Sequence, residues 1–260
     1  MTHAYPTYKQ SIILLFIWLL CTLVTVMICM PLLNLEDGIG LSLMYTISMC
    51  MTVAAGFSIR GNWKLEFGQW PMAILVISVF TILSIQFVLE PLHSLVPPSD
   101  LVLKIFKGLQ SHPVSFFLMV VVAAPVLEEI LFRGIILDGY LKNYKPINGI
   151  LVSALLFALI HGNLAQGIGA FLLGFLFGWI YWKTKSIIAC IFLHAVNNLL
   201  AFVSVMASSD DNLDRTMRMW INHDGLYWSF YVLCIGVAVG SVWFVQRKIS
   251  STIMELPKQD

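Results

Sequence analysis

The sequence predicts an all-α, polytopic membrane bundle of about eight transmembrane helices, and three observations carry that prediction. Hydrophobic residues make up 59% of the 260 positions. Charged residues make up only 11%, against about 25% in soluble domains, and the mean hydropathy is +0.86. The apolar residues also fall into runs near the roughly 20 residues that a spanning helix needs. A soluble domain of this size could not hydrate its surface with so few charges. A disordered chain and a nucleic-acid binder are excluded too, because the net charge is +1 and no Lys/Arg run occurs. The expected partner is the lipid bilayer, with no nucleic acid.

The apolar runs lie at 11–33, 39–58, 71–90, 114–137, 147–162, 167–182, 186–206 and 225–247. The first is longer than a signal-peptide core and has no A-x-A-like site after it, so it reads as a retained helix. With eight spans, one side collects Lys9, Arg60, Lys64, Lys142, Lys145, Lys183, Lys185, Arg247, Lys248 and Lys258. The other holds only Lys104, Lys107, Arg215 and Arg218, beside Glu36, Asp37, Asp100, Asp210, Asp211, Asp214 and Asp224. By the positive-inside rule both termini are expected in the cytoplasm.

Two connections carry more than turn signals. Residues 59–70 place Trp63, Phe67 and Trp70 among charges, as expected of a segment at the cytoplasmic interface. Residues 101–110 put Val102, Ile105, Phe106 and Leu109 on one helical face and Lys104 and Lys107 opposite. The preceding Pro97-Pro98-Ser99-Asp100 supplies a stop and an N-cap. This reads either as an amphipathic helix on the outer surface or as a loop covering the bundle.

The sixth run carries Ala170, Gly174 and Gly178 at four-residue spacing, a stripe that lets another helix approach closely. The five cysteines lie in apolar stretches without a CxxC pair and read as packing residues.

Ionisable residues within spans cost about 2.5–3.5 kcal/mol each at the bilayer centre and are functional candidates by default. They concentrate in three runs. In the fourth, Glu129 and Arg133 are four apart and share a face, so they can pair. Glu128 is turned about 100° away and has no partner on its own helix. Pro125, just upstream, frees a backbone carbonyl. The fifth run ends with Phe157 and His161 four apart, and the seventh carries His194 and Asn198 four apart, with Asn197 alongside. Any one of these alone reads as interhelical glue, whereas together they point to one shared site.

Glu, two His and Asn in a low-dielectric cavity suit peptide hydrolysis. A buried carboxylate can take a proton from water near neutral pH, and an imidazole can orient that water or protonate the leaving amine. His and Asn can donate to a tetrahedral oxyanion. No Ser or Cys nucleophile is required. A zinc ion held by Glu128, His161 and His194 is the alternative, although HExxH is absent. A proton-coupled transporter would also bury Glu and His, but no internal repeat appears. A non-enzymatic immunity or scaffold protein is a further alternative.

In order and spacing, EExxxR (Glu128, Glu129, Arg133), FxxxH (Phe157, His161) and HxxxN (His194, Asn198) resemble the signature of the CAAX-processing and bacteriocin-processing intramembrane proteases, the CPBP or Abi family. The resemblance divides the chain into N-terminal membrane helices (1–113), a catalytic core (114–206), and an outer loop, last helix and cytoplasmic tail (207–260). It implies an endopeptidase acting on a membrane-anchored, lipidated or peptide-precursor substrate, in a bacterial cell membrane. Glu128 would activate water with help from His161, and His194 and Asn198 would form the oxyanion site. Glu129, Arg133 and Phe157 would shape the pocket. No cofactor is expected on this mechanism.

Counting about 1.5 Å per residue from the cytoplasmic ends puts Glu128 and His194 roughly 12–14 Å deep and His161 nearer 22 Å. Either the fifth helix tilts, or it begins outside the bilayer, or its boundaries differ by a turn, and of these a tilt is expected.

Overall fold

The computed structural model describes residues 4–29, 38–95, 100–207 and 217–255. Ten helices follow one another: α1 Tyr8–Cys29, α2 Gly38–Arg60, α3 Met72–Leu95, α4 Asp100–Gln110, α5 Pro113–Asn143, α6 Pro146–Leu159, α7 Leu164–Thr184, α8 Ile187–Ala207, α9 Met217–Ile221 and α10 Asp224–Glu255. No strand forms among the described residues. Phe67 and Ser186 make an isolated bridge.

Each of the eight apolar runs is helical over most of its described residues. Among the described residues, six helices are long and apolar enough to cross a membrane: α1, α2, α3, α5, α8 and α10. The fifth run is shorter than its apolar residues suggest. Helix α6 has 14 residues, about 21 Å against a hydrocarbon core of about 30 Å. It stops at Leu159 because Gly162 takes a left-handed φ of +69° and Asn163 then caps the next helix, its side chain accepting from the Gln166 N–H at 2.9 Å. Helix α7 is 21 residues long. The amphipathic helix over 101–110 is present as α4. Its stop signal, Pro97-Pro98-Ser99, lies outside the described residues, as do Glu36, Asp37, Asp210, Asp211, Asp214, Arg215 and Lys258 of the charge tally.

Polar side chains in the outer helices are satisfied locally. Thr22 and Thr25 donate to the carbonyls of Trp18 and Cys21 in α1, and Ser42, Thr46 and Thr52 do the same one turn back in α2. Helix α1 packs on α2, and α3 on α10. The latter pair runs antiparallel, since Ile74 meets Val245 at one end while the Tyr227 hydroxyl donates to Glu90 at 2.9 Å at the other.

The bundle centre is α5. Leu131, Phe132, Ile135, Ile136 and Leu137 are buried there, whereas α1 and α10 turn large apolar side chains outward. Helices α6 and α7 form a hairpin against α5, and the small-residue stripe packs as expected. A Cβ on Gly174 would stand 3.3 Å from the Ala154 Cα, and one on Gly178 would stand 3.2 Å from Ile150.

Residues 61–71 form an irregular segment pinned to the turn between α7 and α8. The Gly68 N–H donates to the Lys185 carbonyl at 2.9 Å, and the Ile187 N–H to the Glu66 carbonyl at 3.1 Å. Only glycine fits at 68, because a Cβ there would lie 2.0 Å from the Thr184 carbonyl oxygen. Trp63 and Phe67 are exposed, and Arg60 ties the segment to α5 by donating to the Gly134 carbonyl at 2.7 Å.

Candidate active site

Helix α5 is not uniformly α-helical. Residues Leu118–Ala123 and Ile130–Leu137 are π-helical, separated by the α-turns of Ala124–Glu129. The wider register is visible in its i→i−5 bonds, Ala124 N–H to Met119 carbonyl and Asp138 N–H to Arg133 carbonyl. In the first π segment the carbonyl of Val120 would be served by the N–H of residue 125. That residue is Pro125 and has none. The carbonyl freed by the proline is taken instead by the Asn198 side chain, whose Nδ2 donates to it at 2.8 Å. Asn198 Oδ1 accepts from Asn197 at 3.1 Å, and Asn197 Oδ1 accepts from Gln86 of α3. This chain of amides fixes which way Asn198 points.

Glu128, Glu129, Arg133 and His194 form one buried cluster. Arg133 Nη1 donates to Glu129 Oε1 at 2.8 Å, the i,i+4 pair expected on α5. Its Nη2 donates to the Gly174 carbonyl of α7 at 3.0 Å, and its guanidinium lies 4.8 Å from the Phe157 ring centroid and 5.5 Å from that of Phe177. The same Glu129 oxygen accepts from His194 Nδ1 at 2.8 Å, which orients that imidazole. His194 Nε2 then faces Glu128 Oε2 at 3.8 Å, too far for a direct hydrogen bond.

Glu128 is 7% exposed. One of its oxygens accepts from the Tyr45 hydroxyl of α2, while Oε2 is buried without a hydrogen-bond partner. Tyr45 escaped the reading of the sequence, which treated α2 as a generic membrane helix.

Phe157 and His161 stand beside the cluster. His161 lies in the turn after α6, where its Nδ1 donates to the Phe157 carbonyl at 2.8 Å and its ring packs edge-on to Phe157 at 5.0 Å. The Phe157 ring in turn meets His194 at 5.7 Å. The structure thus unites Glu128, Glu129, Arg133 and His194, sets Asn198 one turn along α8, and brings His161 to them through Phe157 rather than by a hydrogen bond. Among the described residues, no three His, Cys, Asp or Glu side chains gather closely enough to hold a metal ion. The Glu128, His161 and His194 donor set therefore does not fit a zinc site in this arrangement.

A multi-pass helical membrane protein with a buried Glu-Glu-Arg-His cluster is the class that the fold and the site define. Residues 110–200 match the family model described as Type II CAAX prenyl endopeptidase Rce1-like. A protein of Bacillus subtilis (strain 168) described as "Putative membrane peptidase YdiL" is 34% identical over 92 residues, which cover 34% of this chain and 37% of that protein. The chain thus spans little more than a third of the relative's length. Residues 110–200, which match that model, contain all three motifs, Glu128-Glu129-Arg133, Phe157-His161 and His194-Asn198. No solved structure matches it at a significant level.

Proposed function

We propose that this chain is an intramembrane endopeptidase that hydrolyses a peptide bond in a membrane-anchored or lipidated substrate, with water activated by Glu128. The observation that carries the proposal is the pairing of Glu128 Oε2, buried and without a hydrogen-bond partner, with His194 Nε2 at 3.8 Å. A water accepted between those atoms would meet a base on one side and an imidazole on the other.

In this reading Glu128 Oε2 takes a proton from the water as its oxygen bonds to the scissile carbonyl carbon. The oxyanion is met by His194 Nε2–H and by the second N–H of the Asn198 amide, whose first N–H holds Val120. With protons on both ring nitrogens, His194 and Arg133 balance Glu128 and Glu129, so the buried cluster sums to zero charge. The C–N bond then breaks as Glu128 returns its proton to the leaving amine. His161 keeps its Nε2 free, because Nδ1 is committed to the Phe157 carbonyl, and it orients water or the departing group. Glu129, Arg133 and Phe157 hold the constellation. The Lys/Arg tally favours both termini at the cytoplasmic face, and on that reading the substrate reaches the site from that leaflet.

The test is cleavage of a panel of farnesylated and membrane-anchored fluorogenic peptides by the detergent-purified protein, with Glu128→Gln and His194→Gln beside it, each with and without chelator. Activity lost in both variants and retained in chelator supports the reading. Loss in chelator with recovery on adding Zn²⁺ overturns the metal-free step. Full activity in Glu128→Gln overturns the reading as a whole and favours a scaffold role for the cluster.

A further inference from the structure

We infer that Tyr45 is a positioning residue for the carboxylate of Glu128, acting on the proteolytic reading above. Its hydroxyl donates to Glu128 Oε1, across 83 positions of sequence and from a helix outside the matched residues 110–200. A carboxylate on a glutamate side chain can rotate about its last torsion, which is broad rather than locked into staggered wells. A single donor on one oxygen removes that freedom. With Oε1 held by the phenol, Oε2 is the oxygen turned to His194, and it is also the oxygen that accepts no hydrogen bond. The two oxygens therefore have different surroundings. One is bound to a neutral donor and the other is presented bare to the imidazole.

The setting of Tyr45 separates it from its polar neighbours on α2. The Ser42, Thr46 and Thr52 hydroxyls all bond back to their own helix. Ser48 does the same, donating to the carbonyl of Tyr45 itself at 2.9 Å. Tyr45 alone among these reaches across to α5. A phenol is also a fitting donor here. It carries one O–H, brings no charge of its own to the buried cluster, and cannot neutralise the carboxylate as a lysine or arginine would.

Helix α2 is held on both sides of Tyr45. A Cβ on Gly38 would lie 2.3 Å from the Gly108 carbonyl oxygen of α4, and one on Gly56 would lie 2.9 Å from Ile135 of α5. Close approach at both places leaves the helix little room to slide, so the phenol is delivered at a set height along α5. The packing sets the arrangement: α2 lies against α4 and α5, Tyr45 holds Glu128, and Glu129 orients His194. Base and imidazole are each set by a separate residue, as a preorganised site requires.

The experiment measures kcat and KM on a farnesylated fluorogenic peptide for wild type, Tyr45→Phe, Glu128→Asp and the double variant, each with its thermal midpoint in detergent. Tyr45→Phe is expected to lower kcat by about tenfold or more with KM unchanged, as misplacement of a reacting group does. Glu128→Asp already withdraws the carboxylate from the phenol. The double variant is therefore expected to match Glu128→Asp alone, a non-additivity that a general folding defect would not give. If Tyr45→Phe lowers the thermal midpoint, the double variant still decides. A further loss of kcat beyond Glu128→Asp means that Tyr45 acts on the fold and overturns the inference. Tyr45→Phe activity within twofold of wild type, or a rise in KM alone, also overturns it. In both of those cases the proteolytic reading stands, provided that Glu128→Gln is inactive. Full activity in Glu128→Gln removes the proteolytic reading, and this inference with it.

Discussion

The Asn198 amide donates at 2.8 Å to the Val120 carbonyl, the group that Pro125 leaves without a backbone partner. A helix defect on α5 and a site residue on α8 are therefore one feature. Replacing Asn198 with Leu should lower stability by about 1 kcal/mol, the cost of leaving a partly buried acceptor without its donor. Adding Pro125→Ala restores an N–H in reach of that carbonyl and should recover part of the loss. Thermal unfolding in detergent of the single and double variants checks this. An Asn198→Leu variant as stable as wild type would show that the carbonyl finds another donor.

Arg133 is 1% exposed and Glu129 is fully buried, so removing Arg133 takes away the guanidinium of the pair and leaves the Glu129 carboxylate only His194. Arg133→Met is expected to cost about 3–5 kcal/mol. Arg133→Met combined with Glu129→Gln should be less destabilised than Arg133→Met alone, because the carboxylate that Arg133 paired with is then replaced by a neutral amide. The order of the two unfolding midpoints is the readout.

Gly174 and Gly236 are both helical glycines in apolar surroundings, but only the first faces another helix. A Cβ at Gly236 meets nothing within 4 Å, whereas one at Gly174 meets Phe157 at 3.1 Å and Ala154. Gly174→Val should destabilise the protein by about 1–3 kcal/mol through overpacking, and Gly236→Val should not. Equal midpoints would contradict the packing of α7 on α6.

Gly68→Ala is expected to release the 61–71 segment from the turn at 184–187, since the added carbon would sit 2.0 Å from the Thr184 carbonyl oxygen. Trypsin should then cut after Lys64 faster than in wild type. An unchanged cleavage rate would mean that the pinning bonds of Gly68 and Ile187 contribute little to holding the segment.

Glu128→Gln and His194→Gln should each lower kcat by about 100- to 10,000-fold. Combined, they should cost far less than the product of the two, because both act on the same tetrahedral species. Multiplicative losses would place the two residues in separate steps.

Much of the site is legible in the sequence because it is local. Glu129 and Arg133 lie one turn apart, as do His194 and Asn198, and polar groups in apolar runs stand out. The Ala170, Gly174 and Gly178 stripe and the α4 amphipathic pattern are of the same kind. Tyr45 and Gln86 are not, since each acquires its meaning from a partner brought near only by tertiary packing. Tyr45 sits among serines, threonines and methionines whose spacing says nothing of Glu128. The end of the fifth run is a different case. Apolarity continues through Ile160, but helix α6 ends at Leu159, ahead of Gly162 and Asn163, a glycine-then-cap signal that hydropathy alone passes over.

The two π segments of α5 also bear on how this helix can vary in length. A π stretch holds one residue more than an α stretch of about the same span, so losing one residue from Leu118–Ala123 would let it tighten to the α register and leave the downstream face nearly unrotated. A residue lost from the α-turns between Ala124 and Leu127 has no such reserve. It would turn the acidic pair by about 100° away from Tyr45 and His194. Natural variants of this protein should therefore carry single-residue gaps in the π stretch and not in the α-turns that follow it.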